Sequence, residues 1–212
     1  MSSGKLHQMA GKSLYLMLTG GLTVKSLYKN ISKKPELFYD YESVDVFLTD
    51  ERCVHLGHVA NNFSMMEKSL FPIGVPDNLS LHRMQAEVED LNSECDRYSA
   101  LLPSSIDILL LSIGEDGHIA SLFPNSSALL ETQRKVVPVI GPKAPFKRLT
   151  ITPPVIESAK QVYVLAIGDE KKRKYEEALL DPEDINSIPA RLVLDRTWIF
   201  DLNEEIDLCP KL

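Results

Sequence analysis

Long apolar runs are scarce in this chain. The strongest, 106–113, extends about eight residues before Gly114, far short of the roughly 20 that a bilayer-spanning helix requires, so no membrane span is expected. Cysteine is equally sparse: Cys53, Cys95 and Cys209 are an odd number at wide spacing, which fits neither a disulfide framework nor paired thiolates around zinc. Reduced thiols are expected. Basic residues are outnumbered, 23 Lys plus Arg against 30 Asp plus Glu, for a net charge of -7, and a general binder of nucleic acid or acidic membrane is disfavoured. Met1-Ser2-Ser3-Gly4-Lys5 leads into no long apolar stretch and no small-residue cleavage site, which predicts a cytoplasmic address. What the chain does have is 212 residues, 44% hydrophobic and 25% charged, enough for one sizeable core. No repeat, low-complexity tract or long linker divides it, and a single domain over 1–212 is expected.

Short apolar or β-branched runs at 13–19, 44–49, 106–113, 162–167 and 197–200 read as buried strands, each stopped by glycine or polar residues. Between them lie helical patterns. Val24, Leu27, Tyr28 and Ile31 keep the i, i+3, i+4, i+7 rhythm over 23–31, and comparable spacing predicts helices over 59–70, 86–102 and 169–180, with a shorter one over 188–194. Strand and helix alternate along the whole length. Parallel strands need crossovers, and those are usually helices, so the expected fold class is α/β: a doubly wound, mostly parallel sheet with helices on both faces, Rossmann-like and three-layered.

In such a sheet ligands sit outside the carboxyl ends of the strands, so residues just after each apolar run carry the most weight. Thr19-Gly20-Gly21-Leu22-Thr23 joins a strand to a helix, where backbone N–H groups suit an anion; the same pair of glycines also makes an ordinary turn. Thr49-Asp50-Glu51-Arg52 reads either as a solvated corner or as a place where a guanidinium meets a phosphate. The sharpest segment is Ser112-Ile113-Gly114-Glu115-Asp116-Gly117-His118, which delivers an imidazole with a carboxylate two residues away to the ligand end of the sheet: a general acid/base arrangement, or a histidine hydrogen-bonded in a turn. Lys143 to Thr152 reads as a basic loop, and Gly168-Asp169-Glu170-Lys171 opens a helix with a cation; both suit an anionic ligand, as they do a solvated face.

At these residues the chain resembles the 6-phosphogluconolactonases, part of a larger group that includes glucosamine-6-phosphate deaminase. The resemblance runs in order through Gly20-Gly21-Leu22-Thr23, Asp50-Glu51-Arg52, Asn62-Phe63, Gly114 to His118, Ala120-Ser121-Leu122-Phe123-Pro124, Arg148-Leu149-Thr150 and Gly168 to Lys171. It implies metal-independent hydrolysis of 6-phospho-D-glucono-1,5-lactone to 6-phosphogluconate, without cofactor or metal. The implied partner is that small sugar phosphate, with no nucleic acid or membrane, in a monomer or weak homodimer. Carried over by position, His118 and Asp116 are the implied catalytic residues. Gly20, Gly21, Thr23, Asp50, Arg52, Arg148 and Lys171 are the implied substrate- and phosphate-binding set. Three departures stand out. Leu22 and Val24 replace a Ser and a Pro of the resembled phosphate loop, removing a hydroxyl donor. Only Met1 to Lys12 precede the first strand, which predicts a missing edge element, and Asn61 stands where a Ser is common. Two other readings compete. A deaminase would continue Asp-Gly-His-Ile-Ala with Phe-Asn-Glu-Pro, whose glutamate this chain lacks; a non-catalytic sugar-phosphate sensor would keep the pocket and lose turnover.

Overall fold

The computed structural model describes residues 11–200. Its main sheet has six strands, all parallel: β1 (Ser13–Leu18), β2 (Ser43–Leu48), β4 (Leu79–Leu81), β5 (Ile108–Ser112), β8 (Gln161–Leu165) and β9 (Thr197–Ile199), in spatial order β4-β2-β1-β5-β8-β9. Counted along this sheet alone, the chain moves outward from β1 to one edge and then restarts beside β1 and moves to the other. The reversal lies between β1 and β5, which in a doubly wound sheet is where the loops diverge and leave a crevice.

Two apolar layers follow from the period-2 alternation of the strands. Leu14, Leu16 and Leu18 of β1 pack with Val44, Val46 and Leu48 of β2 beneath α1 (Leu22–Ile31) and α2 (Asn62–Leu70). Met17, Phe47, Leu109 and Leu111 face the opposite way, toward α3 (Leu91–Leu101), α4 (Pro153–Ser158) and α5 (Asp169–Leu180). The expected α/β class with helices on both faces is the one observed. No helix among the described residues is long and apolar enough to cross a membrane. Cys53 and Cys95 are free thiols, and Cys209 lies outside the described residues.

The element bounds differ from the sequence reading where capping decides them. The helix expected over 59–70 begins at Asn62, because the Asn61 side chain accepts the Ser64 N–H at 2.8 Å. The one expected over 86–102 begins at Leu91, where Asp90 accepts from Asn92 and Ser93. The segment expected as a helix over 188–194 is a 3₁₀ turn, Pro189–Val193.

A larger difference is a second sheet. Asp50–Arg52 is itself a strand, β3, and the supposed basic loop contains strand β7 (Lys147–Ile151); with β6 (Val136–Ile140) they form an antiparallel sheet in the order β3-β7-β6. Three charged residues in a row look like a corner because β propensity is measured against apolar faces. Here one face of the strand lines a site and the other is buried against the amino end of α2.

Candidate active site

A cavity of about 490 Å³ opens at the carboxyl ends of β1 and β5, and all nine residues singled out above line it: Gly20, Gly21, Thr23, Asp50, Arg52, Asp116, His118, Arg148 and Lys171. The loop after β1 supplies the glycines and Thr23, the loop after β5 supplies Asp116 and His118, the small sheet supplies the two arginines, and the first turn of α5 supplies Lys171.

His118 and Asp116 form a direct pair, Nδ1 to Oδ1, and the same carboxylate oxygen accepts the His118 backbone N–H at 3.2 Å. Burial acts to raise the Asp116 carboxyl, but the bonds from His118 outweigh it and hold the group below its ordinary value. With Nδ1 committed to the carboxylate, Nε2 is the nitrogen left for chemistry. The ring packs on Phe123, centroids 4.9 Å apart, and the Arg148 guanidinium lies 5.2 Å from the same phenyl ring. Gly114 makes room for this pair: a Cβ there would overlap the His118 ring and come within 2.9 Å of Asp116 Oδ1. Gly114→Ala is expected to fold normally yet lose roughly tenfold in kcat through displacement of the imidazole. Wild-type kcat in steady-state kinetics on a variant of unchanged melting temperature would contradict this.

Arg52 and Arg148 stand directly opposite each other in the β3–β7 register. Two guanidinium groups in that position repel. Burial and the Arg52 charge both push the Arg148 guanidinium down from its ordinary value. Neither arginine has a carboxylate ion-pair partner among the described residues, and Arg52 Nε is buried with no hydrogen-bond partner at all. Arg52 Nη1 donates to the Ala60 carbonyl at 3.0 Å, while Arg148 Nε donates to the Pro145 carbonyl at 3.1 Å, which sets both forks in place. An oxyanion is the ligand that relieves such a pair.

Asp50 is in the cavity wall but buried, its oxygens accepting from Thr49 Oγ1 at 3.0 Å and Ser121 Oγ at 2.7 Å. It thereby ties the arginine-bearing strand to the loop that carries His118. Ser121, completely buried, has no signal in the sequence beyond its place in the Ala-Ser-Leu-Phe-Pro string. Gly20 is the counterpart of Gly114 at the other wall, since a Cβ there would overlap the Asn62 amide, whose Nδ2 donates to the Asp50 carbonyl at 3.0 Å.

Glu51, between the two site residues of β3, faces away into the protein and is fully buried. It accepts the backbone N–H groups of Arg52, Asn62 and Phe63 at 2.7 to 2.8 Å, closing the amino end of α2. Burial nevertheless pushes its carboxyl up from 4.5 to about 7, the three N–H bonds only partly opposing it. The folded state therefore holds this proton more tightly than the unfolded chain does. Its contribution is fully present below 4.5 and is lost as pH rises toward 7, by ~3 kcal/mol in total. Glu51→Gln, which stays neutral, is expected to improve relative to wild type by about 2 kcal/mol between pH 5 and pH 8 in urea unfolding. An offset independent of pH would refute this.

Comparison with known proteins gives a consistent result. The family model described as glucosamine-6-phosphate isomerases/6-phosphogluconolactonase matches residues 5–200. A 6-phosphogluconolactonase of Borreliella burgdorferi is 34% identical over 73% of this chain and 69% of its own length, and one of Pseudomonas aeruginosa is 32% identical over 84% and 76%. The crystal structure of a 6-phosphogluconolactonase from Shewanella baltica superposes with a TM-score of 0.77 at 28% identity, covering 87% of this chain and 80% of that one.

Proposed function

Since the chain belongs to the glucosamine-6-phosphate isomerase/6-phosphogluconolactonase family, we propose that it hydrolyses 6-phospho-D-glucono-1,5-lactone to 6-phospho-D-gluconate, the ring-opening step of the oxidative pentose phosphate pathway. The single observation that carries this reading is the His118–Asp116 pair in one cavity with three cations that lack carboxylate partners among the described residues.

The chemistry follows from those groups. Asp116 accepts a hydrogen bond from His118 Nδ1–H and fixes the tautomer, so that Nε2 takes a proton from water as the hydroxide oxygen bonds to lactone C1. The tetrahedral oxyanion then collapses. The bond from C1 to the ring oxygen breaks, and the imidazolium returns its proton to that oxygen, which leaves as the 5-hydroxyl. Arg52, Arg148 and Lys171 hold the phosphate and so convert binding energy into orientation of the ring. A lactone is already an activated ester, and one positioned base suffices for useful turnover.

The deaminase reading is weaker. In its Phe-Asn-Glu-Pro continuation a glutamate stands where this chain has Phe123, a side chain with no proton to transfer, packed against His118. In a coupled assay with freshly generated lactone, added protein is expected to accelerate decay well above the spontaneous rate, without requiring added metal. An unchanged decay rate would favour a sensor that binds and does not turn over.

A further inference from the structure

Lys171 Nζ donates to Thr23 Oγ1 at 2.7 Å and to Ser112 Oγ at 3.0 Å. An ammonium has donors and no acceptor, so both hydroxyl oxygens must accept, and each hydroxyl keeps its own hydrogen for another partner. No acceptor takes either hydrogen among the described residues, and Lys171 has no carboxylate ion pair there. Burial pushes the Lys171 ammonium down from its ordinary value. Two O–H donors and one remaining N–H thus stand together, unspent, in the wall of the cavity.

Ser112 is the unexpected member of this group. It is the last residue of β5, beside the β1–β5 reversal of the sheet, and the sequence gives no reason to single it out. Leu22, beside Thr23, occupies the first position of α1, where the resembled phosphate loop has a serine; the residue is 86% exposed and its side chain offers no donor. The amino end of α1 is capped by Gly21 with no side-chain hydrogen bond.

Building on the lactonase reading, we propose that Ser112 is a specificity-determining residue that donates its hydroxyl to the substrate's phosphate, supplying from β5 the donor that Leu22 removes from the α1 loop. Lys171 orients that hydroxyl by occupying its oxygen, so the donor is aimed before substrate arrives. Ser112 acts in binding and takes no part in proton transfer.

The test compares phosphorylated and unphosphorylated ligands. Ser112→Ala is expected to raise KM for the phosphorylated lactone roughly tenfold, the scale of one hydrogen bond to a charged group, and to raise the inhibition constant of inorganic phosphate to match. Its kcat is expected to stay within about twofold of wild type, and kcat/KM for unphosphorylated D-glucono-1,5-lactone is expected not to change. Adding Leu22→Ser to Ser112→Ala is expected to recover most of the lost affinity. An unchanged KM, or equal losses on both lactones, would overturn the proposal. Calorimetric binding of 6-phosphogluconate separates the two layers of inference. A wild-type chain that binds it tightly without hydrolysing lactone refutes the hydrolase reading, while the Ser112→Ala difference in that same binding still decides the hydroxyl's role.

Discussion

Replacing His118 by alanine is expected to lower kcat by about a thousandfold, within the range that a positioned general base contributes, while KM changes little. The expectation rests on Nδ1 being taken by Asp116, which leaves Nε2 as the proton acceptor. Asp116→Asn should reproduce most of the defect, because an amide presents either a donor or a weak acceptor to Nδ1 and lets the ring adopt the wrong tautomer. A His118→Ala variant that kept most of the wild-type kcat would show that the imidazole supports the site without performing the proton transfer.

Arg52→Ala is expected to act on the other kinetic parameter, raising KM by roughly 100-fold as a charge-assisted bond to phosphate is lost, with kcat reduced far less. The structural basis is the facing position of Arg52 and Arg148 on β3 and β7 and the unpartnered Nε of Arg52. Removing one guanidinium also relieves the repulsion on the other, so the free protein should become more stable to urea even as it binds worse. Stability and affinity moving in opposite directions is the signature of a site built for a ligand. A variant that loses both together would instead point to a structural role through the Ala60 carbonyl. The comparison with Ser112→Ala is informative, since Arg52 brings a full charge and Ser112 a single neutral donor, and the two KM effects should differ accordingly.

Much of this was legible in the one-dimensional chain. The apolar runs announced five of the six strands of the large sheet, all but the short edge strand β4, because parallel strands covered on both faces carry near-continuous hydrophobic sequence. The Asp116-Gly117-His118 segment pointed to a place in the site because it follows the most apolar strand and is set between glycines, and both side chains line the cavity. Asp50-Glu51-Arg52 was harder. Its charges hide a strand, and its middle residue turns out to close α2 while its neighbours line the cavity. Neither Ser121 nor Ser112 could be picked out, because a serine's role depends on what its oxygen meets, and those partners, Asp50 and Lys171, lie 71 and 59 residues away in the chain.

The sequence by itself determined the class of fold and five of the six strands of the large sheet, which depend on neighbours within a few residues, and it put forward His118 and Asp116 as candidates. Only the tertiary structure decided that Arg52 faces Arg148, that Phe123 is shared between His118 and Arg148, and that Lys171 is held by hydroxyls from two distant elements. The reason is physical. Local order follows from backbone preference and hydrophobic period, whereas a binding site is made of charges and hydroxyls whose energies depend on the separation and burial that the folded chain imposes on them.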